Sequence, residues 1–140
     1  MGEIAFLIFG ALYFTYSTFC DRCMTVARLI LPKFGEGVAA MHLPESYLRA
    51  RKAQHRIAFA FGLLTAGSIY FYSWLPWYVG IILLGLIWYY SGSVGRREGF
   101  DEYRKALAAM IDHDPGDSPD YTAMLEAEAN LSNAELMARI

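Results

Sequence analysis

Charge is missing from a long part of the chain. Residues 57–95 contain no Asp, Glu, Lys, Arg or His. As a single helix this stretch would be about 58 Å long, at ~1.5 Å per residue, whereas the hydrocarbon core of a bilayer is about 30 Å thick. The stretch is therefore too long for one crossing and has the length for two. Ser73 to Trp77 lie near its midpoint, where a turn is required, so the sequence predicts a membrane hairpin.

Ionisable side chains other than tyrosine are also missing between Ile4 and Cys20, a stretch just long enough for a first span. The helical pattern continues past Asp21, either as one long tilted helix or, as we favour, as a span followed by an interfacial extension. Pumps and transporters usually need an ionisable group at membrane depth, so one that acts alone is not expected. We expect an all-α integral membrane protein with three transmembrane helices, a tight antiparallel hairpin formed by the second and third, and a helical cytoplasmic tail.

Prolines and glycines divide the chain into four segments. Residues 1–31 are predicted to form the first transmembrane helix with its amphipathic extension. Residues 32–56 form a basic cytoplasmic loop and lead-in helix, because two prolines and two glycines interrupt the helical pattern there. Residues 57–95 form the hairpin, whose second helix is predicted to loosen at residues 91–95. Residues 96–140 form an acidic helical tail.

The net charge of −2 hides a strong partition. Residues 21–56 hold seven Lys and Arg against three Asp and Glu, a net of +4, whereas residues 96–140 hold five against ten, a net of −5. A basic collar that faces lipid headgroups is predicted from Arg49, Arg51, Lys52, Arg56, Arg96 and Arg97. Because Lys and Arg mark cytoplasmic flanks, we predict a multi-pass protein with its N-terminus out and its C-terminus in. A bacterial inner membrane is the expected location, with an organellar inner membrane as the alternative, and no nucleic-acid partner is expected.

One short motif is considered for metal or redox chemistry. Cys20 and Cys23 have the spacing of a redox pair, but no βαβ pattern surrounds them. A zinc site would need further ligands such as His42 and His55, whose spacing matches no standard finger. We therefore predict no metal, no cofactor and no catalytic residue, while a redox, lipidation or metal role for the two cysteines stays open. Any bound lipid, quinone or pigment is likewise left open.

Two surfaces are predicted to mediate helix contacts. Small residues recur at every fourth position of the second span and form a helix-packing seam: Ala58, Gly62 and Ala66. An apolar stripe at helical spacing marks the tail as an interaction surface: Phe100, Tyr103, Leu107 and Met110. This stripe is expected to pack against another surface, either the chain's own basic collar or another subunit.

Helix-start signals also occur in the tail. Pro119 is suited to the first position of a helix that would run to about Ala129. Ser132 and Glu135 have the spacing of a capping box, which predicts a last short helix.

The layout of residues 4–97, with Arg51-Lys52-Ala53-Gln54 at the start of a span, resembles the membrane-associated eicosanoid and glutathione metabolism proteins. This resemblance implies a membrane enzyme that binds glutathione. Enzymes of that family have four spans and follow the motif with an Asn and an acidic residue. Here His55 to Phe59 contain neither residue, and a fourth span is missing.

Three functions follow as hypotheses. The leading one is a non-enzymatic accessory, assembly or scaffolding subunit of a larger membrane complex, with the lipid bilayer and other membrane protein subunits as partners. The first alternative is an enzyme similar to the glutathione-metabolism family. The second is a phage-type holin, a class that also includes three-span proteins with this orientation but usually has a basic tail.

Overall fold

The computed structural model describes residues 2–42, 51–72, 76–113 and 119–140, and within these residues the chain is helical and contains no strand. The helices are α1 (Gly2–His42), α2 (Arg51–Tyr72), α3 (Trp77–His113), α4 (Pro119–Ala129) and α5 (Asn133–Met137). The predicted all-α fold is confirmed. So are the helix that begins at Pro119 and the capping box, in which Ser132 and Glu135 exchange hydrogen bonds.

Helix α1 lies at the centre of the structure and packs against both α2 and α3. It runs parallel to α3, because Ser17 hydrogen-bonds Ser91 while Thr25 lies against Gly99. It runs antiparallel to α2, since Gly10 lies near Thr65 whereas the ring of Tyr16 stacks on Phe61. The three long helices therefore alternate in direction along the chain.

The second and third helices, which were predicted to form a tight antiparallel hairpin, are separated by four residues in the chain. Helices α2 and α3 are antiparallel, but they contact each other far less than each of them contacts α1. The physical reason is that the small residues of both helices face α1, which lies between them over much of their length. Of the predicted turn at Ser73 to Trp77, residues 73–75 lie outside the described residues.

Residues 32–42, the first part of the segment predicted as a loop and lead-in helix, are helical except at a kink at Gly35. Helix α1 continues through Pro32, and its only described departure from helical geometry is Gly35, whose φ of 80° requires a glycine. A proline costs about 3 kcal/mol in a helix interior. Burial of the neighbouring Leu29 and Ile30 and an ion pair from Lys33 to Glu128 oppose that cost.

Helix α3 is uninterrupted, so the predicted loosening at residues 91–95 does not occur. Two of its glycines, Gly95 and Gly99, face α1 at a distance that admits no side chain. A Cβ placed on Gly95 would lie 2.6 Å from Asp21 Cβ and 2.7 Å from the Thr18 carbonyl oxygen. These glycines serve close helix packing, which offsets their weak helix propensity.

Two regions share these long helices. We call the first the upper half, formed by residues 3–20, 56–68 and 76–92; its outer surface carries large apolar side chains such as Leu7, Phe59, Ile82 and Trp88. We call the second the lower half, formed by residues 21–34 and 96–112 with α4 and α5. Its core buries Ile30, and the other large buried members include Phe100, Tyr103, Leu107, Leu125 and Leu136.

Two helices are long and apolar enough to cross a membrane, over Glu3–Gly35 and Trp77–Asp112, and each contains an 18-residue stretch with a mean hydropathy of 1.4. The apolar part of α2, Arg56–Ser68, is shorter than a bilayer crossing requires. The third predicted span therefore stays a prediction.

Candidate functional site

Charged side chains from all three long helices meet where the upper half joins the lower half. Arg22 of α1 lies 3.4 Å from Glu98 of α3, measured from Nη1 to Oε2. A Cβ placed on Gly92 would lie 3.5 Å from both Asp21 Oδ2 and Arg96 Nη1, so these opposite charges flank the same glycine. Arg56 of α2 lines the same cavity as Asp21. We call Asp21, Arg22, Arg56, Arg96 and Glu98 the charged layer.

A groove opens above the charged layer because α2 and α3 diverge over α1. Its volume is about 620 Å³, within the range of small-molecule sites. The floor is formed by α1 through Tyr13, Ser17 and Cys20, and Asp21 and Arg56 close one end. The walls and rim are mostly apolar and include Phe59, Leu63, Leu84 and Trp88. A groove with apolar walls and one charged end suits a molecule that has an apolar chain and a polar head.

The predicted helix-packing seam faces α1 and this groove. Ala58 is buried, and all three seam residues, Ala58, Gly62 and Ala66, line the groove. A Cβ placed on Gly62 would lie 3.2 Å from the ring of Tyr13, so the small residues of the seam allow α1 to pack closely against α2. The contact partner of the seam is therefore the first helix of the same chain.

A second seam, which the sequence analysis missed, joins α1 and α3. Ser91, Gly95 and Gly99 recur at every fourth position, the same small-residue spacing as on α2. Ser91 donates a hydrogen bond of 2.9 Å to Ser17, and Gly99 lies against Thr25. The spacing was present in the sequence, but residues 91–95 were interpreted as a point where the helix loosens.

The predicted tail stripe is buried inside the protein. Phe100, Tyr103, Leu107 and Met110 are at most 3% exposed. They pack in one core with Cys23, Val26 and Ile30 of α1 and with Leu125 and Leu136 of the last two helices. The chain covers this stripe itself, so the stripe is not an open surface for another subunit.

A buried carboxylate links several segments of the lower half through hydrogen bonds and ion pairs. Glu128 is 4% exposed and accepts hydrogen bonds from Lys33 Nζ at 2.7 Å and from the Tyr103 hydroxyl at 2.8 Å. Arg139, next to the C-terminus, forms a further ion pair with it. Four segments of the chain thus converge on one side chain that the sequence analysis counted only as part of an acidic tail.

The surroundings of Glu128 favour its ionised form. Burial alone would raise its pKa, but the hydrogen bonds from Lys33 and Tyr103 and the charges of Lys33 and Arg139 outweigh burial. The net result is a pKa for Glu128 below its usual 4.5. The group is therefore a structural anion and not a proton donor near neutral pH.

The predicted basic collar is only partly described. Arg56 and Arg97 are exposed and Arg96 is partly buried beside Gly92. Arg49 and the side chains of Arg51 and Lys52 lie outside the description. The same holds for the side chains of the Arg51-Lys52-Ala53-Gln54 motif, on which the resemblance to the glutathione-metabolism family rests.

Cys20 and Cys23 are buried free thiols within the continuous helix α1. Cys20 lines the groove, whereas Cys23 belongs to the core of the lower half. Within the described residues no three His, Cys, Asp or Glu side chains come together as metal ligands. The side chains of His42 and His55 are not among those described.

Comparisons of the chain with protein-family models, with curated proteins and with solved structures found no match.

Proposed function

We propose that this chain is an integral membrane protein with three membrane-spanning helices and a folded tail on the cytoplasmic side, and that it acts as a non-enzymatic accessory subunit of a larger membrane complex. The observation that carries the membrane assignment is the inverted surface of the upper half. There the exposed side chains are large and apolar, including Leu7, Leu63, Ile81 and Trp88. Water would oppose such a surface, whereas lipid accommodates it.

The interior of the upper half supports the same assignment. Its buried positions hold small or hydroxyl side chains, among them Ser17, Thr65, Ser68 and Ser91. Thr65 and Ser68 donate hydrogen bonds to carbonyl oxygens one turn earlier in α2, so their hydroxyls are satisfied within the helix. Small residues and hydroxyl side chains are enriched where helices associate in lipid.

The charged layer supports the proposed topology. Trp77 and Arg96 are separated by about 29 Å of helix rise, close to the thickness of the hydrocarbon core. Asp21 lies about 27 Å from Glu3 along α1 by the same measure. With the charged layer at the cytoplasmic boundary, the N-terminus and the start of α3 reach the opposite boundary. Helix α2, antiparallel to α1, then returns between the two boundaries as the second span.

The accessory role is supported by the self-contained core of the lower half and by the exposed apolar faces of the upper half. The tail forms its own core and holds its buried carboxylate in ion pairs, which serves stability and leaves that group no chemistry to perform. The outer faces of α2 and α3 keep their large apolar side chains exposed, so helices of another membrane protein have surfaces to pack against.

The topology is tested by labelling single cysteines with a membrane-impermeant maleimide in intact spheroplasts, in protein whose Cys20 and Cys23 are changed to alanine. Glu3→Cys is expected to react in intact cells, whereas Arg139→Cys is expected to react only after the membrane is opened. Reaction of both positions in intact cells would contradict the proposed topology.

The accessory role is tested by native mass spectrometry after gentle detergent extraction from the membrane that naturally contains the protein. The expected result is a mass that includes at least one other membrane protein in fixed ratio. Recovery of a lone monomer under extraction conditions that preserve known complexes of the same membrane would contradict the accessory role.

A further inference from the structure

The groove above the charged layer is an incomplete part of the upper half. Its floor presents Tyr13 and Ser17 of α1, and only α2 and α3 flank it. In a bilayer this opening would face acyl chains sideways and headgroups at its charged end. In a bilayer, a molecule from the membrane would fill this groove.

The size of the groove selects among occupants. A helix with side chains is about 10 Å wide, so a segment ~20 Å long would occupy roughly 1,600 Å³. The groove holds about 620 Å³. A partner helix is thus too large to enter it, whereas a single acyl chain with the first part of a headgroup is of the right order.

The length of the groove agrees with one leaflet. Arg56 and Ala66 mark its two ends on α2, and ten residues of helix rise by about 15 Å. Half of a hydrocarbon core is also about 15 Å. An acyl chain that enters at the charged layer would reach the bilayer midplane alongside Phe59, Leu63 and Ala66.

Charge selects the headgroup. Asp21 is flanked by Arg96 across Gly92. Arg56, in contrast, is exposed at the end of the groove and forms no ion pair with the described residues. A guanidinium presents paired donors that match phosphate geometry. The charged end of the groove therefore favours a phosphate group that carries net negative charge.

We propose that the groove binds one anionic phospholipid from the surrounding leaflet, with its phosphate against Arg56 and one acyl chain along the apolar wall of α2. This proposal rests on the membrane assignment above. It assigns a ligand class to Arg56, Phe59 and Ala66, which would act as binding residues.

The test uses the full chain reconstituted in nanodiscs that contain equal amounts of phosphatidylcholine and phosphatidylglycerol. After transfer to mild detergent, native mass spectrometry counts the lipids that remain bound. We expect one phosphatidylglycerol per chain. Arg56→Gln is expected to lower its retention about tenfold, because a charge-assisted hydrogen bond contributes about 1.5 kcal/mol or more. Arg97→Gln, a matched change at an exposed arginine outside the groove, is expected to retain the lipid.

A second pair of variants tests the apolar wall. Ala66→Leu fills the groove and is expected to reduce the retention of both lipids. Gly85→Leu adds comparable volume to a face of α3 where no atom lies within 4 Å, and is expected to have no effect. Equal retention of the two lipids by the natural protein, or equal losses in Arg56→Gln and Arg97→Gln, would overturn the lipid proposal alone. Failure of the natural protein to enter nanodiscs would overturn both this proposal and the membrane assignment.

Discussion

Helix α3 passes through two regions that are built on opposite rules. In the upper half its Leu86 is 48% exposed and its Ser91 is buried, whereas in the lower half its Leu107 is fully buried and its Lys105 is exposed. Within about 30 Å along one helix, the exposed side chains thus change from apolar to polar and the buried ones from polar to apolar. This reversal is what the proposed membrane assignment requires, with lipid around the upper half and water around the lower half.

The two regions also differ in what holds their helices together. If the upper half lies in lipid, as proposed, apolar burial offers little gain there, so close approach and hydroxyl hydrogen bonds supply the contacts, as at Ser17 and Ser91. In the lower half, large apolar side chains leave water and give the dominant stabilisation, with Glu128 and its cations between helices. Substitutions of the same kind should therefore have different effects in the two regions.

The largest contrast is expected for leucine truncation. Leu107→Ala removes a fully buried side chain from the lower core and should lower the free energy of unfolding by about 3–4 kcal/mol. Leu86→Ala removes an exposed side chain of the same helix, and lipid or detergent replaces the lost contacts, so we expect about 0.5 kcal/mol or less. Unfolding by SDS titration in mild detergent, followed by circular dichroism, measures both. Similar losses of stability in the two variants would contradict the expected difference between the two regions.

The next contrast concerns the buried carboxylate. Glu128→Ala leaves Lys33, Arg139 and the Tyr103 hydroxyl without their anion. A broken buried ion pair costs about 3–5 kcal/mol, and we expect about 2–3 kcal/mol because both cations are partly exposed. Glu126→Ala, an exposed position on the same helix, should change stability by about 0.5 kcal/mol or less. The same SDS titration compares them, and equal effects would show that Glu128 is not a structural anion.

The ionisation of Glu128 also predicts a pH dependence. Because its pKa is lower in the folded protein than its usual 4.5, its stabilising contribution is complete above pH 4.5 and is lost as pH falls through the folded value. Glu128→Gln should remove this acid-side loss, whereas Glu126→Gln should keep it. Unfolding titrations between pH 3 and 7 measure the slope. An unchanged slope in Glu128→Gln would contradict the assignment.

The smallest contrast tests close packing in the upper half and its boundary. Gly95→Ala places a Cβ against Asp21 and the Thr18 backbone and should destabilise the α1–α3 contact by about 1–3 kcal/mol. Gly85→Ala meets no atom within 4 Å and should stabilise α3 by about 0.5 kcal/mol, through helix propensity. Stability changes of opposite sign for the same substitution on one helix would support close packing against α1 as the role of Gly95. Destabilisation by both would indicate that glycine flexibility, and not close approach, matters in α3.

Sequence patterns predicted much of this fold because they record local chemistry. The absence of charge from residues 57–95 and the apolar stretch of α1 predicted long apolar helices, and the capping signals at Pro119 and Ser132 predicted the last two. The tail stripe was recognised by its spacing. The elements that pack against the stripe were not recognised. Helical spacing shows that a face is apolar and is expected to be buried, but it does not show which surface buries it.

Other features depend on tertiary contacts and escaped the sequence analysis. Glycines at 92 and 95 predict a weak helix in isolation, and only the proximity of α1 makes them packing positions. Pro32 predicts a helix end unless Leu29, Ile30 and Lys33 are fixed by the tail. The pairing of Lys33 with Glu128 spans most of the chain, and no local pattern distinguishes this glutamate from its exposed neighbours.

The most direct test of the central claim is a scan of solvent access along α3 by electron paramagnetic resonance. Spin labels would be placed singly at exposed positions of the upper half, Ile82 and Leu86, and of the lower half, Lys105 and Ala109, in protein reconstituted in vesicles and lacking Cys20 and Cys23. We expect Ile82 and Leu86 to be accessible to oxygen and shielded from a water-soluble nickel chelate, with the reverse at Lys105 and Ala109. Equal access of the nickel chelate to all four positions would contradict it.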